Sequence, residues 1–439
     1  MTSKTLPDLV PDAKLKLPKQ AERTLPGGLT VIAIRRPAVP LVELRLRVPF
    51  GRAPLPRATL LSQTLFTGTG AMSSVDIAAE LQAVGGGLSA GLDPDRLLVT
   101  GNALASGLDR MLEILAAVLT DPAYPNAEVA TERDRLVDHI NVALSQPAHL
   151  ARTALLKRIY GKHHYAIQTP EPEQVRAVRP AQLRTLHAER LRPEGAVLVL
   201  VGDINPDRAI DAAEKALGSW TGPGKDETTP ATPPLEPGPL TLVDRPGSVQ
   251  SSLRMALPAV PRTDPRYASL QLANMVFGGY FSSRWVENIR EDKGYTYGPH
   301  TAIEHYLAGS ALMVAAEVAT EVTGPSLLET LYELGRIASL PPGEEELEQA
   351  RRYSLGTLRL GMSTQAGLAG LASMYASFGL RLEHLQTHSA ALATATREDV
   401  AAAAAEFLAP SRAVTVVLGD AAKVEAPLAA LTQVVRGTA

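Results

Sequence analysis

The residues in this chain whose types and spacing point most directly to chemistry are Arg290 and Tyr297, within the stretch from Phe277 to His300. That stretch contains Trp285, Tyr280, Tyr295 and Tyr297, in a protein that is only 4% aromatic. Ser282-Ser283 offers an N-cap, Val286 and Ile289 form a short apolar stripe, and Gly294 after Lys293 is placed to stop the turn. The pattern predicts one helix over 283–293, with a strand beginning at Tyr295-Thr296-Tyr297. Arg290 then lies near the helix end and Tyr297 just past the turn, so the guanidinium N–H groups and the phenolic O–H can face one ligand.

Other chemistry-bearing residues form weaker sets. His384 and His388 are four apart, a spacing that can chelate zinc from one helix face, but no acidic residue lies between them, and the segment reads as an exposed connector. His163-His164 reads as a loop whose adjacent imidazoles serve structure. Gly87-Leu88-Ser89-Ala90-Gly91 has the Gly-x-Ser-x-Gly spacing but follows the triple glycine where an edge strand is expected, not at a strand-to-helix elbow, and there is no Walker loop or dinucleotide fingerprint. The absence of cysteine excludes disulfides, thiol nucleophiles and Cys-ligated zinc. A net charge of −3 gives no electrostatic basis for nucleic-acid binding.

The elements that must position Arg290 and Tyr297 come in two sets. At 439 residues the chain is too long for one ordinary core. The first twenty or so residues, rich in Pro and Lys, lack the apolar core of a signal peptide. No apolar run reaches the roughly 18 residues of a membrane span, so a cytoplasmic protein is expected. Strands are expected at 29–34 and 41–48, and helices at 58–66, from Ser73, at 108–120 and at 126–144. Gly85-Gly86-Gly87 leads into an edge strand, 196–203 is a buried strand, and 207–217 is a helix.

Proline and glycine then dominate 221–239, a linker composition not expected to bury anything. Across it the halves resemble each other. Leu61, Phe66 and Gly68 align with Leu272, Phe277 and Gly279, and Ala196-Val197 through Gly202-Asp203 aligns with Ala413-Val414 through Gly419-Asp420. Pro193 pairs with Pro410 just upstream. The reading is an α+β fold of two homologous domains in tandem, each of about 200 residues. An arm covers 1–22, the first domain 23–220, the linker 221–239 and the second domain 240–439.

Arg290 followed by Gly294-Tyr295-Thr296-Tyr297 resembles the Arg/Tyr element of the pitrilysin/insulinase metallopeptidases, a family that includes the mitochondrial processing peptidases. The resemblance runs from about Leu25 to Val434 and implies two similar domains, each a mostly antiparallel sheet packed with helices, forming half of a clamshell. It also implies that Arg290 and Tyr297 hold the substrate backbone and the tetrahedral intermediate beside zinc.

The family's zinc helix carries His-x-x-Glu-His, two imidazoles on one face with a Glu to activate water. Here Thr59 and Gln63 stand at the ligand positions and Ser62 at that of the general base. Glu132 fits the family's supporting Glu, and the third ligand position, seven residues on, is His139. Thr and Gln are poor zinc ligands and a Ser hydroxyl does not deprotonate water at neutral pH. No catalytic zinc is therefore expected in this chain.

A chain that keeps Arg290 and Tyr297 without the ligands resembles the non-zinc subunit of a two-chain peptidase of this family. The resemblance implies a heterodimer with a sister subunit that carries His-x-x-Glu-His and its zinc, an unfolded peptide as substrate, no membrane partner, and no efficient cleavage by this chain alone. Two rival readings stay open: a structural scaffold, and a peptide-binding module without hydrolysis.

Overall fold

The computed structural model describes residues 15–222 and 228–438. Residues 1–14 of the expected arm and 223–227 of the expected linker lie outside the described residues.

Two six-stranded sheets organise the molecule. The first comprises β1 (Gln20–Thr24), β2 (Thr30–Arg35), β3 (Leu41–Pro49), β4 (Gly87–Leu92), β5 (Arg96–Leu104) and β6 (Val197–Gly202), in the order β1-β2-β6-β3-β5-β4. The second comprises β7 (Leu240–Asp244), β8 (Gln250–Pro258), β9 (His300–Tyr306), β10 (Gly309–Ala319), β11 (Val414–Gly419) and β12 (Val434–Gly437), in the order β12-β7-β11-β8-β10-β9. From the second position onward the two orders match strand for strand. In the shared part of each sheet, β6 is parallel to β2 and antiparallel to β3, as β11 is parallel to β7 and antiparallel to β8. The duplication read from the apolar landmarks is therefore a duplication of topology. Ordered sheet begins at Gln20, inside the stretch expected to be an arm, because residues 20–24 pair antiparallel with 30–34.

The first half contributes helices α1 (Leu55–Thr64), α2 (Ser74–Ala83), α3 (Leu108–Thr120), α4 (Asn126–Ser145), α5 (Pro147–Tyr160), α6 (Pro172–Arg176), α7 (Pro180–Arg190) and α8 (Pro206–Leu217). The second contributes α9 (Tyr267–Asn274), α10 (Arg284–Val286), α11 (Thr323–Ser339), α12 (Glu344–Ser363), α13 (Gln365–Ser377), α14 (His384–Thr394), α15 (Arg397–Phe407) and α16 (Ala421–Ala429). Ser73, expected to open α2, forms a full capping box with Asp76. The triple glycine ends that helix and leads into β4, an edge strand of the first sheet.

Each half lends the other a helix. α5 lays Ala151, Leu155 and Ile159 on the face of the second sheet that presents Ala256, Val414, Val416 and Leu418. α13 lays Leu368, Ala369 and Ala372 on the face of the first sheet that presents Ile34, Val199 and Val201. This explains why 197–202 is apolar throughout: Leu198 and Leu200 face the first half's own helices, while Val199 and Val201 face α13. Polar contacts also span the halves. Arg152 holds Glu304 with two hydrogen bonds of 2.8 and 2.9 Å, and buried Asp95 accepts from the Leu307 amide at 2.8 Å.

The linker packs more than its composition predicts. Pro230 offers its carbonyl to His163 Nε2 at 2.9 Å, and Leu235 joins the core between α5 and the second sheet. Proline stiffness lowers the entropy lost on docking, so a short apolar side chain suffices to seat the segment.

Candidate active site on the second domain

The helix expected over 283–293 forms, but its winding changes within it. α10 continues into a π-helical turn over Glu287–Asp292, closed by wide bonds such as Lys293 N–H to the Asn288 carbonyl at 3.1 Å. Gly294 ends the turn at φ +63°, where a side chain would strain the backbone. Ser283 occupies the N-cap position with an extended backbone, yet its side chain makes no capping bond. The strand expected at Tyr295 begins at His300. The Tyr295 amide is already donated to the Ile289 carbonyl at 2.8 Å, and Pro299 has no N–H to pair.

This winding brings Arg290 against two rings. Its guanidinium carbon lies 4.5 Å from the Phe281 ring centroid and 4.8 Å from that of Tyr297. Both are within cation–π range, which fixes the plane of the fork. Its Nε also faces Glu291 Oε1 at 3.1 Å. Tyr297 is 85% exposed, so its hydroxyl stands in solvent and not in a sheet. Arg290, Gly294 and Tyr297 border a cavity of ≈ 390 Å³ closed by Gln250 and Glu317 at the ends of β8 and β10.

The turn is anchored from below. Asn288 Nδ2 donates to Glu329 at 3.0 Å and to buried Glu333 at 2.9 Å, both on α11. Lys293 Nζ donates to Asn288 Oδ1 at 3.0 Å and pairs with Glu329 at 3.4 Å. The fully buried Trp285 stacks on Phe277 and donates Nε1 to Thr330 at 3.0 Å. Arg284 grips Glu346 of α12 at 2.5 and 2.6 Å. Burial pushes the Glu346 carboxyl up, but the Arg284 hydrogen bonds and charge outweigh burial and hold it below the usual carboxylate range. Sequence reasoning singled out Arg290 and Tyr297, which the turn brings together, but not Phe281 or Asn288. The available signal for Asn288 was a polar residue beside Ile289 in the apolar stripe.

The first-half positions are built differently. Thr59, Ser62 and Gln63 border one cavity of ≈ 300 Å³, together with Arg52 and His164. Thr59 Oγ1 donates to the Leu55 carbonyl and Ser62 Oγ to the Thr59 carbonyl, each at 2.8 Å, so both hydroxyls are tied to their own helix. Glu132 pairs with Arg135 at 2.6 Å. His139 lies on the exposed side of α4, because Leu136, Val137 and Ile140 take the buried side, and it does not line the cavity. These donors do not fit a zinc ion. Among the described residues no group of three or more His, Cys, Asp or Glu is arranged to hold a metal.

His384 and His388 correct the expected exposed connector. They lie on α14, drawn inward by Leu385 and Leu392. His388 is buried, stacks on Tyr267 with ring centroids 5.1 Å apart, and bonds Gln271 at 2.9 Å. His163 and His164 stack at 4.4 Å beside Tyr165, and His163 caps the short turn there by accepting from the Tyr165 amide at 3.2 Å. Among the described residues no helix is long and apolar enough to cross a membrane.

Tandem α+β units, with α1 following β3 in the first, α9 following β8 in the second and the Arg/Tyr turn on the second unit, define a half-clamshell of the metallopeptidase kind. Residues 57–173 match the model described as insulinase (peptidase family M16), and residues 177–353 match the peptidase M16 inactive domain. The chain belongs to this family. Curated relatives include an uncharacterized zinc protease of Mycobacterium leprae, 25% identical over 77% of each chain. One from Mycobacterium tuberculosis is 27% identical over 77% of this chain and 79% of the relative. The fold is shared with a peptidase M16 inactive domain from Pseudomonas fluorescens, with TM-score 0.85, 23% identity, and 91% and 98% of the two chains covered. It is shared also with a protease from Helicobacter pylori, with TM-score 0.84, 16% identity, and 92% and 100% covered.

Proposed function

We propose that this chain is the non-zinc subunit of a two-chain peptidase of family M16. It lends Arg290 and Tyr297 to an active site whose zinc and His-x-x-Glu-His belong to a sister subunit. The observation that carries the reading is the solvent-facing Tyr297 side chain beside a guanidinium within cation–π range of two rings. An ordinary surface pair has no need of a buried Asn288–Glu333 anchor beneath it. In this role Tyr297 donates to the developing oxyanion, and Arg290 donates to a neighbouring carbonyl of an extended, unfolded peptide. Preorganisation matters because a donor already in place costs no reorganisation when charge develops. Thr59, Ser62 and Gln63 leave the water-activating chemistry to the partner.

The test is cleavage of a quenched fluorescent peptide library by this chain, by a candidate sister, and by the mixture. Activity is expected only in the mixture and is abolished by a chelator. Tyr297→Phe lowers turnover by about 10²-fold, the typical effect of removing one oxyanion donor, without changing the melting temperature. Chelator-sensitive cleavage by this chain alone would overturn the assignment, and an inert mixture favours the scaffold or peptide-binding reading.

A further inference from the structure

A cavity of ≈ 670 Å³ lies where the linker, the β9–β10 turn and the segment after α13 meet. It shares no lining residue with the Arg290/Tyr297 site. Its volume is within the range of about 300–1,000 Å³ that holds small organic ligands. Its charges are one-sided: among the described residues that line it there are two cations, Arg262 and Arg412, and no Asp or Glu. Arg262 donates Nη1 to Tyr267 at 2.9 Å, while its Nε is buried with no hydrogen-bond partner. Arg412 is exposed. His305, also in the lining, is pushed down to about 3 by burial and by the charge of Arg262, so it is neutral near pH 7. The remaining wall is largely apolar and includes Leu235, Leu307, Phe378 and Leu380.

We infer that this cavity binds a hydrophobic carboxylate, its anionic head held by Arg262 and Arg412 and its apolar body by Leu235, Phe378 and Leu380. Two arginines without a counter-carboxylate make a local field that favours an anion, and the guanidinium fork matches the planar, two-oxygen carboxylate. A highly charged ligand such as a polyphosphate is disfavoured, because its charge would be desolvated against proline and leucine. The site stands independently of the peptidase reading.

The experiment titrates decanoate into the full chain by calorimetry, with decanol and decyltrimethylammonium as neutral and cationic controls. A tripeptide Ala-Ala-Phe with a free or an amidated C-terminus forms the second arm. Decanoate is expected to bind at least about tenfold more tightly than decanol, a difference of about 1.4 kcal/mol. Arg412→Glu, at an exposed position, is expected to weaken decanoate by about tenfold or more while leaving the melting temperature of the ligand-free protein unchanged. Arg262→Gln is expected to act in the same direction. Binding of the free-acid tripeptide but not its amide assigns the carboxylate to a chain terminus, whereas decanoate alone assigns it to a free amphiphilic acid. No binding of either, equal binding of decanol, or unchanged affinity in Arg412→Glu would overturn the inference.

Discussion

His187 is buried and committed at both ring nitrogens. Nε2 donates to the Leu119 carbonyl at 2.9 Å, and Nδ1 accepts from the Tyr124 hydroxyl at 2.8 Å. Burial first, and the charge of Arg192 last, push it down to about 4. His388 is likewise pushed down to about 4 by burial, with His384 and Arg262 adding to it. Each binds its proton more readily in the unfolded chain, so the stabilisation is fully present above the ordinary value near 6.5. It is lost as pH falls from there towards about 4. The urea midpoint is expected to drop across that window, and His187→Gln should flatten part of the drop while lowering stability at pH 7. A midpoint that is flat between pH 6.5 and 4 in the wild type would contradict the buried neutral state. At this scale the sequence revealed which residues had chemistry to offer. It could not separate a solvent-facing tyrosine such as Tyr297 from a sealed one such as Tyr124, because exposure is a property of what folds over the side chain.

The element that most depends on one side chain is the π-helical turn over Glu287–Asp292. Under-winding places Asn288 towards α11 while Arg290 faces the rings of Phe281 and Tyr297, and such turns recur where function repays the poorer hydrogen bonding. Asn288→Ala leaves the buried Glu333 carboxylate short of a donor and is expected to destabilise by about 1.5–3 kcal/mol, the range for a hydrogen bond to a charged group. Asn288→Asp should cost more, because it sets a third carboxylate beside Glu329 and Glu333. Denaturant midpoints of the two variants check the order. The helix itself was legible from its N-cap position, its stripe and Gly294. Its winding was not, because the difference between an α and a π turn is decided by the partners on α11 and α12, and those lie more than forty residues away in the chain.

On the scale of the molecule, the two halves are interleaved by α5 and α13. Residues 15–222 made alone would leave Ile34, Val199 and Val201 without α13, and residues 228–438 alone would leave Val414, Val416 and Leu418 without α5. Each half is expected to aggregate by itself through these bare sheet faces, and co-expression of the two should recover a soluble complex that co-purifies; soluble monomeric halves would contradict this. By itself the sequence determined the period of the strands and helices around 29–217, the helix ending at Gly294, the duplication marked by Leu61/Leu272 and Gly68/Gly279, and the identity of Thr59, Ser62 and Gln63 where the family resemblance expects zinc-site residues. These are local patterns and residue identities, and both are written along the chain. Only the tertiary structure decided that the lent helices cover the opposite sheets, that Phe281 packs against Arg290, and that His388 is buried. Those outcomes depend on which apolar surfaces meet across the chain, and a linear pattern fixes that a face must be covered without fixing what covers it.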